Sequence, residues 1–214
     1  MKTFPIIFFD CDGVLIFDEP YLRLNRAAKI PEELDRQWFN DYYDGILPFT
    51  EWIKRQDAYY LENNLTFEML RDILKNFTFN PEAFEIIKYL KTQNIKTAII
   101  SSGIDYYVEQ VAKKLEIDYW RANSHMIFDR DGKFIKTGFL KEDEGAKVEN
   151  VKEICDNLGI DPRNTMFIGD SANDLKAFEF TKHGVLYKTN NKDYEKYAWK
   201  KINNLNKIKD LINL

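Results

Sequence analysis

The apolar positions of this chain fall into short unbroken runs separated by longer amphipathic stretches. Residues 6–9, Ile-Ile-Phe-Phe, form the first run, and four apolar residues without a polar break read as a strand buried on both faces. The strand starts at Pro5 and ends at Phe9. From Glu19 to about Asn76 the period becomes helical, giving four expected helices at 22–29, 31–43, 50–61 and 66–76. Pro31 suits a helix start, and Thr50 is an acceptable cap for the third helix. Asn80-Pro81 then opens a helix to Leu90. Beyond it strands and helices alternate: strand 96–100, helix 104–115, helix 148–158, strand 165–168, helix 172–180 and strand 185–187. Such alternation predicts an α/β fold with a parallel sheet and crossover helices. A hairpin interrupts the order, with strands at 126–128 and 134–135 around an Asp131-Gly132 turn. The tail from Tyr194 to Leu214 reads as helix, short strand and helix, closing one sheet edge.

The chemistry sits where apolar runs stop. The first run ends on Asp10-Cys11-Asp12-Gly13, two acids around one residue, followed by a glycine that permits a tight turn. A second run, ending at Ile168, stops on Gly169-Asp170 and continues to Asp174. The spacing of Asp170 and Asp174 puts both side chains on one side if the loop turns helical at once. Carboxyl ends of strands are where α/β sheets bind ligands. Crowded carboxylates call for a cation, and a shared Mg²⁺ explains why two distant clusters would converge. Asp10 is then the candidate nucleophile. Asp12, two residues on, can protonate a leaving alcohol and afterwards activate water.

These motifs resemble the haloacid dehalogenase (HAD) superfamily, in which an aspartate drives phosphoryl transfer. The resemblance covers the whole chain. Asp10-Cys11-Asp12-Gly13-Val14 matches the first motif, Ser101 the second, and Gly169-Asp170 through Asp174 the fourth. Lys147 is the expected third-motif lysine, with Lys136 and Lys141, on or just after the hairpin, as alternatives. The resemblance implies a Rossmann-like core formed by residues 1–16 and 80–214, and a C1-type helical cap, inserted at 17–79. It implies metal ligands at Asp10, Asp170 and the Asp12 carbonyl, with Asp174 holding a metal-bound water or orienting the lysine. Ser101, with Ser102 and Gly103, would bind phosphate oxygens, and Lys147 would add positive charge. Ser101 capping the following helix, Lys147 as a solvated helix lysine and Asn173 as a turn residue are the plainer readings.

Within the superfamily the phosphoserine phosphatases are the nearest in pattern. Glu19 stands where they place a glutamate that contacts the substrate amine, and Ser101-Ser102-Gly103 resembles their S-G-G motif. Residues 169–175 resemble their G-D-G-A-N-D signature, and Asn173 falls within it. Lys54 or Arg55 corresponds to their cap arginine for the substrate carboxylate. Gly13-Val14, Ser102 and Ser171 depart from the pattern. The expected activity is hydrolysis of a small phosphomonoester, with a phosphotransferase or mutase, or a non-catalytic HAD-like binding protein, as alternatives.

Composition narrows the setting. With 31 basic and 35 acidic residues the chain lacks a nucleic-acid footprint. Two cysteines cannot make a disulfide framework, which points to a reducing compartment and a cytoplasmic enzyme. No apolar run approaches the roughly 20 residues that span a membrane, and no signal peptide precedes the first strand. The stretch 17–79 carries 13 of 32 aromatics in 63 of 214 residues, a modest excess. Most of Trp38, Phe39, Tyr42, Tyr43, Trp52, Tyr59 and Tyr60 are therefore expected to pack the insert's own core.

Overall fold

The computed structural model describes residues 4–141 and 143–213, with the side chains of Tyr43, Asp143 and Glu144 outside the description. Strand β1 (Ile6–Phe9) lies in the middle of a seven-stranded sheet of spatial order β4-β3-β2-β1-β5-β6-β7. Its neighbours are β2 (Lys96–Ile104) and β5 (Met166–Gly169), parallel to it on either side. β3 (Tyr119–Phe128), β6 (Gly184–Tyr187) and β7 (Lys200–Ile202) also run parallel to their inner neighbours. β4 (Phe134–Phe139) pairs antiparallel with β3 as the second arm of the hairpin.

Strand alternation divides the core between the two faces of the sheet. Ile7, Phe9, Ile99 and Ile168 pack with the helices α5 (Pro81–Thr92) and α6 (Asp105–Leu115). Ile6, Phe8, Ala98 and Phe167 pack with α7 (Asp143–Leu158) and α8 (Leu175–Thr181). Four helices stand between β1 and α5 and contribute no strand: α1 (Pro20–Ala27), α2 (Glu32–Tyr43), α3 (Phe49–Glu62) and α4 (Phe67–Ile73). The chain leaves and re-enters the sheet side by side, with Phe17 N–H donating to Thr78 O at 2.9 Å and Asn80 N–H to Leu15 O at 2.9 Å. The tail supplies α9 (Lys192–Glu195), β7 on the sheet edge, and α10 (Ile208–Leu211).

Several boundaries differ from the sequence reading. β2 runs on through Ser101, Ser102 and Gly103 instead of stopping at Ile100, with its register against β3 shifted between Ser101 and Ile104. β3 begins at Tyr119, far ahead of 126, and its first half pairs with β2. α3 starts at Phe49 with Pro48 at the cap position, so Thr50 lies inside the helix and caps nothing. Thr66 does cap α4, its hydroxyl accepting from Met69 N–H at 3.2 Å. α7 begins at Asp143, which puts Lys147 in its second turn and not at its opening. Residues 172–174 form a short 3-10 turn before α8. Trp38 and Tyr60 are buried in the core, Tyr43's side chain lies outside the described residues, and Phe39 and Trp52 line a cavity.

Candidate active site

Three neighbouring strands end at one place. β1 delivers Asp10 and Asp12, β2 delivers Ser101 to Gly103, and β5 delivers Asp170. The first turn beyond β1 is tight: Gly13 N–H donates to Ile16 O at 2.9 Å, and Gly13 has φ +76. The Asp170 carboxylate packs directly on Gly13, in the space a Cβ would occupy. Glycine is therefore needed there for both conformation and room.

Lys147 sits beneath these strand ends, 1% exposed. Its Nζ lies 3.0 Å from Asp10 Oδ2 and 2.6 Å from Asp174 Oδ1, and donates to Asn173 Oδ1 at 3.1 Å. A buried ammonium is stable only with such partners. The other Asp174 oxygen accepts from the N–H groups of Asp170 and Ser171 at 3.0 and 3.1 Å. Asp174 is thus fully engaged in holding the Asp170 turn and the lysine. Lys136 is exposed on β4 and Lys141 pairs with Glu149 at 2.9 Å, so neither reaches the carboxylates.

Asp10 Oδ1 accepts from Cys11 N–H at 2.8 Å. Asp12 Oδ2 accepts from the Tyr107 hydroxyl at 2.6 Å, while its Oδ1 is buried with no hydrogen-bond partner. Tyr107 went unmarked in the sequence because a tyrosine on an amphipathic helix reads as core. It is core, at 0% exposed, yet its hydroxyl reaches across Gly103 to the second acid. A Cβ on Gly103 would collide with that hydroxyl. Ser101 does not cap α6, whose cap position is Ile104; its Oγ accepts from Gly103 N–H at 2.9 Å. Asn173 Nδ2 donates to Ser102 Oγ at 3.1 Å and so ties the fourth motif to the second.

The carboxylates are under electrostatic stress. Burial, above all, holds Asp10 well above the ordinary carboxylate range, with Asp174, Asp170 and Asp12 adding to the rise and Lys147 opposing it. Burial and then Asp174 push Asp170 up to about 7. Burial lifts Asp12 to about 6 against the Tyr107 hydrogen bond and Lys147. Oxygens of Asp10, Asp170 and Asp174 lie within 4.8 Å of one another. Lys147 is a single positive charge among these three acids. An all-oxygen donor set with unspent negative charge suits a hard divalent cation.

A cavity of about 610 Å³ opens above the strand ends, between them and α1–α3. Asp12, Ser102, Gly103 and Asn173 form its floor, and Glu19 lies on its wall. Lys54 and Arg55 do not line it. Both project from α3 to solvent beside Glu51, at 3.9 and 3.7 Å, and Arg55 lies over the Trp38 ring. The next residue, Gln56, rotated by the helix, faces the cavity instead.

A mostly parallel sheet that gathers carboxylates and a buried lysine at the ends of its central strands is the ligand-binding arrangement of an α/β protein. A family model of haloacid dehalogenase-like hydrolases matches residues 7–179. The phosphoserine phosphatase of Methanocaldococcus jannaschii is 30% identical over 181 residues, covering 83% of this chain and 82% of that protein. The phosphoserine phosphatase of Albidiferax ferrireducens is 28% identical over 185 residues, covering 82% and 75%. A solved phospho-aspartyl intermediate analogue of a phosphoserine phosphatase superposes with a TM-score of 0.83 at 26% identity, covering 98% of this chain and 99% of that one. The chain belongs to the haloacid dehalogenase-like hydrolases and is a phosphatase of that family.

Proposed function

We propose that this phosphatase hydrolyses a small phosphomonoester with Mg²⁺, through a covalent phosphate on Asp10. The observation that carries the reading is the position of Asp10. It ends the central strand, is held through one oxygen by buried Lys147, and lies two residues from Asp12, which lines a ligand-sized cavity. Asp10 attacks phosphorus, and the oxygen–phosphorus bond to the alcohol breaks as Asp12 gives up its proton. Asp12, now a carboxylate, takes a proton from water, whose oxygen attacks the phosphorus and releases Asp10. The raised position of Asp12, near 6, suits a group that must act as acid and then as base near neutrality.

In this reading the Ser101 hydroxyl, the Ser102 amide and Lys147 meet the phosphate oxygens, Gly103 N–H orients the Ser101 hydroxyl, and Asn173 braces Ser102. Asp10, Asp170 and the Asp12 carbonyl would hold the Mg²⁺, with Asp174 fixing lysine and loop. When bound, the ion supplies charge that stabilises and aligns the phosphoryl oxygens. We assign residues 17–79 as a cap over a core of 1–16 and 80–214. The buried free thiols of Cys11 and Cys155 fit a reducing compartment such as the cytoplasm.

Phosphoserine, named for the relatives, is the first natural ester to assay. Phosphate release from p-nitrophenyl phosphate should require Mg²⁺, vanish with excess chelator, and fall by several orders of magnitude in Asp10→Asn. Turnover in chelator, or by purified Asp10→Asn, would overturn the assignment.

A further inference from the structure

The wall of the cavity away from the phosphate end is largely apolar, and its two cations share one carboxylate. Phe39, Phe49, Trp52 and Ile53 line it, with Phe49 and Ile53 about 95% buried. The cationic side chains that reach it are Arg26 and Arg36, both more than half exposed and both paired with Glu32 at 3.4 Å. The remaining ionisable groups on the wall are acids, Glu19, Glu32 and Asp35. A carboxylate brought here would leave water for a surface where three acids outnumber two arginines that already share Glu32.

Gln56 brings an amide to this wall, beside the buried and unpaired Nε1–H of Trp52. It is 3% exposed, lines the cavity, and makes no hydrogen bond to the protein among the described residues. Its amide is accessible from the cavity and so can pair with a ligand there. An amide is neutral: it pairs with a carbonyl, hydroxyl or amine, and does not compensate a full negative charge.

Resting on the phosphatase reading, we propose that this pocket selects phosphomonoesters whose alcohol carries an apolar or aromatic body and no carboxylate, with Gln56 meeting an uncharged polar group on that body. The aromatic rings supply the buried area for the leaving group. The acids on the wall tolerate an amine and reject a carboxylate. Phosphoserine presents a carboxylate and little apolar surface, so it is a poor match for this wall. Selection by charge rejection operates on kcat/KM because the misfit persists in the transition state.

Three alkyl esters with similar leaving oxygens separate the contributions: 2-phenylethyl phosphate, phosphoethanolamine and phosphoserine, assayed by phosphate release with Mg²⁺. Phosphoethanolamine is phosphoserine without the carboxylate, and 2-phenylethyl phosphate exchanges its amine for a ring. The expected order of kcat/KM is 2-phenylethyl phosphate, then phosphoethanolamine, then phosphoserine, with about tenfold between the last two, the effect of one unpaired charge. In Gln56→Arg the phosphoserine-to-phosphoethanolamine ratio should rise by about tenfold. Trp52→Ala, a second probe, should reduce the advantage of 2-phenylethyl phosphate. Wild-type preference for phosphoserine over both other esters overturns the inference and leaves the phosphatase standing. No phosphate release from any of the three, or from p-nitrophenyl phosphate, overturns both.

Discussion

Charge at single residues sets the site's behaviour. Tyr107 donates to Asp12 at 2.6 Å and is the group that most stabilises its carboxylate. Tyr107→Phe removes the donor and raises Asp12 above about 6, so less of it is ionised near neutrality to act as base in the second step. The limb of the kcat–pH profile that reports Asp12 should move up by about one pH unit, with about a twofold loss of kcat at about pH 7 that grows to about tenfold near pH 5. An unmoved limb would confine Tyr107 to packing. Asp10 and Asp170 predict a second pH effect. Both titrate higher in the fold than in the unfolded chain, so between about pH 4 and 7 the metal-free fold holds more protons than the unfolded state. Its stability is therefore favoured at low pH and lost as pH rises through the folded values. A divalent ion binds the ionised pair and reverses this, so the Tm gain from added Mg²⁺ should be larger at pH 8 than at pH 5. Equal gains at both pH values would argue against these two ligands.

Elements explain how far the sequence could be read. The acids at the ends of β1 and β5 were legible because each follows an unbroken apolar run, and only a central strand buried on both faces needs that pattern. Lys147 was legible from motif order, but its burial depends on the extra helical turn from Asp143 that the sequence did not announce. Tyr107 and Gln56 were not legible. Each lies on a helix face, and which face meets the site depends on the rotation that packing imposes; one residue of phase separates the solvent-facing Arg55 from the cavity-facing Gln56. β3 was half missed because Arg121, Asn123, Ser124 and His125 interrupt its apolar pattern near the edge of the sheet. The bulged end of β2 makes a further prediction. Gly103→Ala places a methyl on the Tyr107 hydroxyl and pushes it off Asp12. Overpacking of this kind costs about 1–3 kcal/mol. Gly103→Ala in a Tyr107→Ala background, where both the hydroxyl and the ring carbon that bears it are gone, should cost measurably less in denaturant unfolding than in wild type. Additive losses would mean that the two residues do not touch.

At the scale of the whole molecule, the helical insert is fastened at two ends. One is the pair of crossing chains at Phe17–Thr78 and Leu15–Asn80. The other is the hairpin of β3 and β4, which grips α3 and α4. Asp57 on α3 accepts from Thr137 N–H at 2.9 Å and from its hydroxyl at 2.6 Å. Phe49 meets Phe139 at 5.1 Å and Tyr60 meets Phe134 at 5.4 Å, both edge to face. Backbone bonds from Phe67 to Gly132 and from Phe134 to Leu65 complete the grip. The cavity lies under the insert between these fastenings, so opening it at the hairpin side means releasing Asp57. Asp57→Ala removes both acceptors and leaves Thr137 N–H unpaired. Bonds to a charged group are worth about 1.5–3 kcal/mol each, reduced here because Asp57 is only partly buried. A loss of about 2 kcal/mol lowers Tm by roughly 4–8 °C in a domain of this size. The distinguishing readout is hydrogen exchange. Amides at 65–67 and 132–137 should exchange faster in Asp57→Ala while those of β1 keep their protection, because only the local opening becomes easier. Uniform acceleration, β1 included, would show that Asp57 supports the fold as a whole and does not fasten the insert.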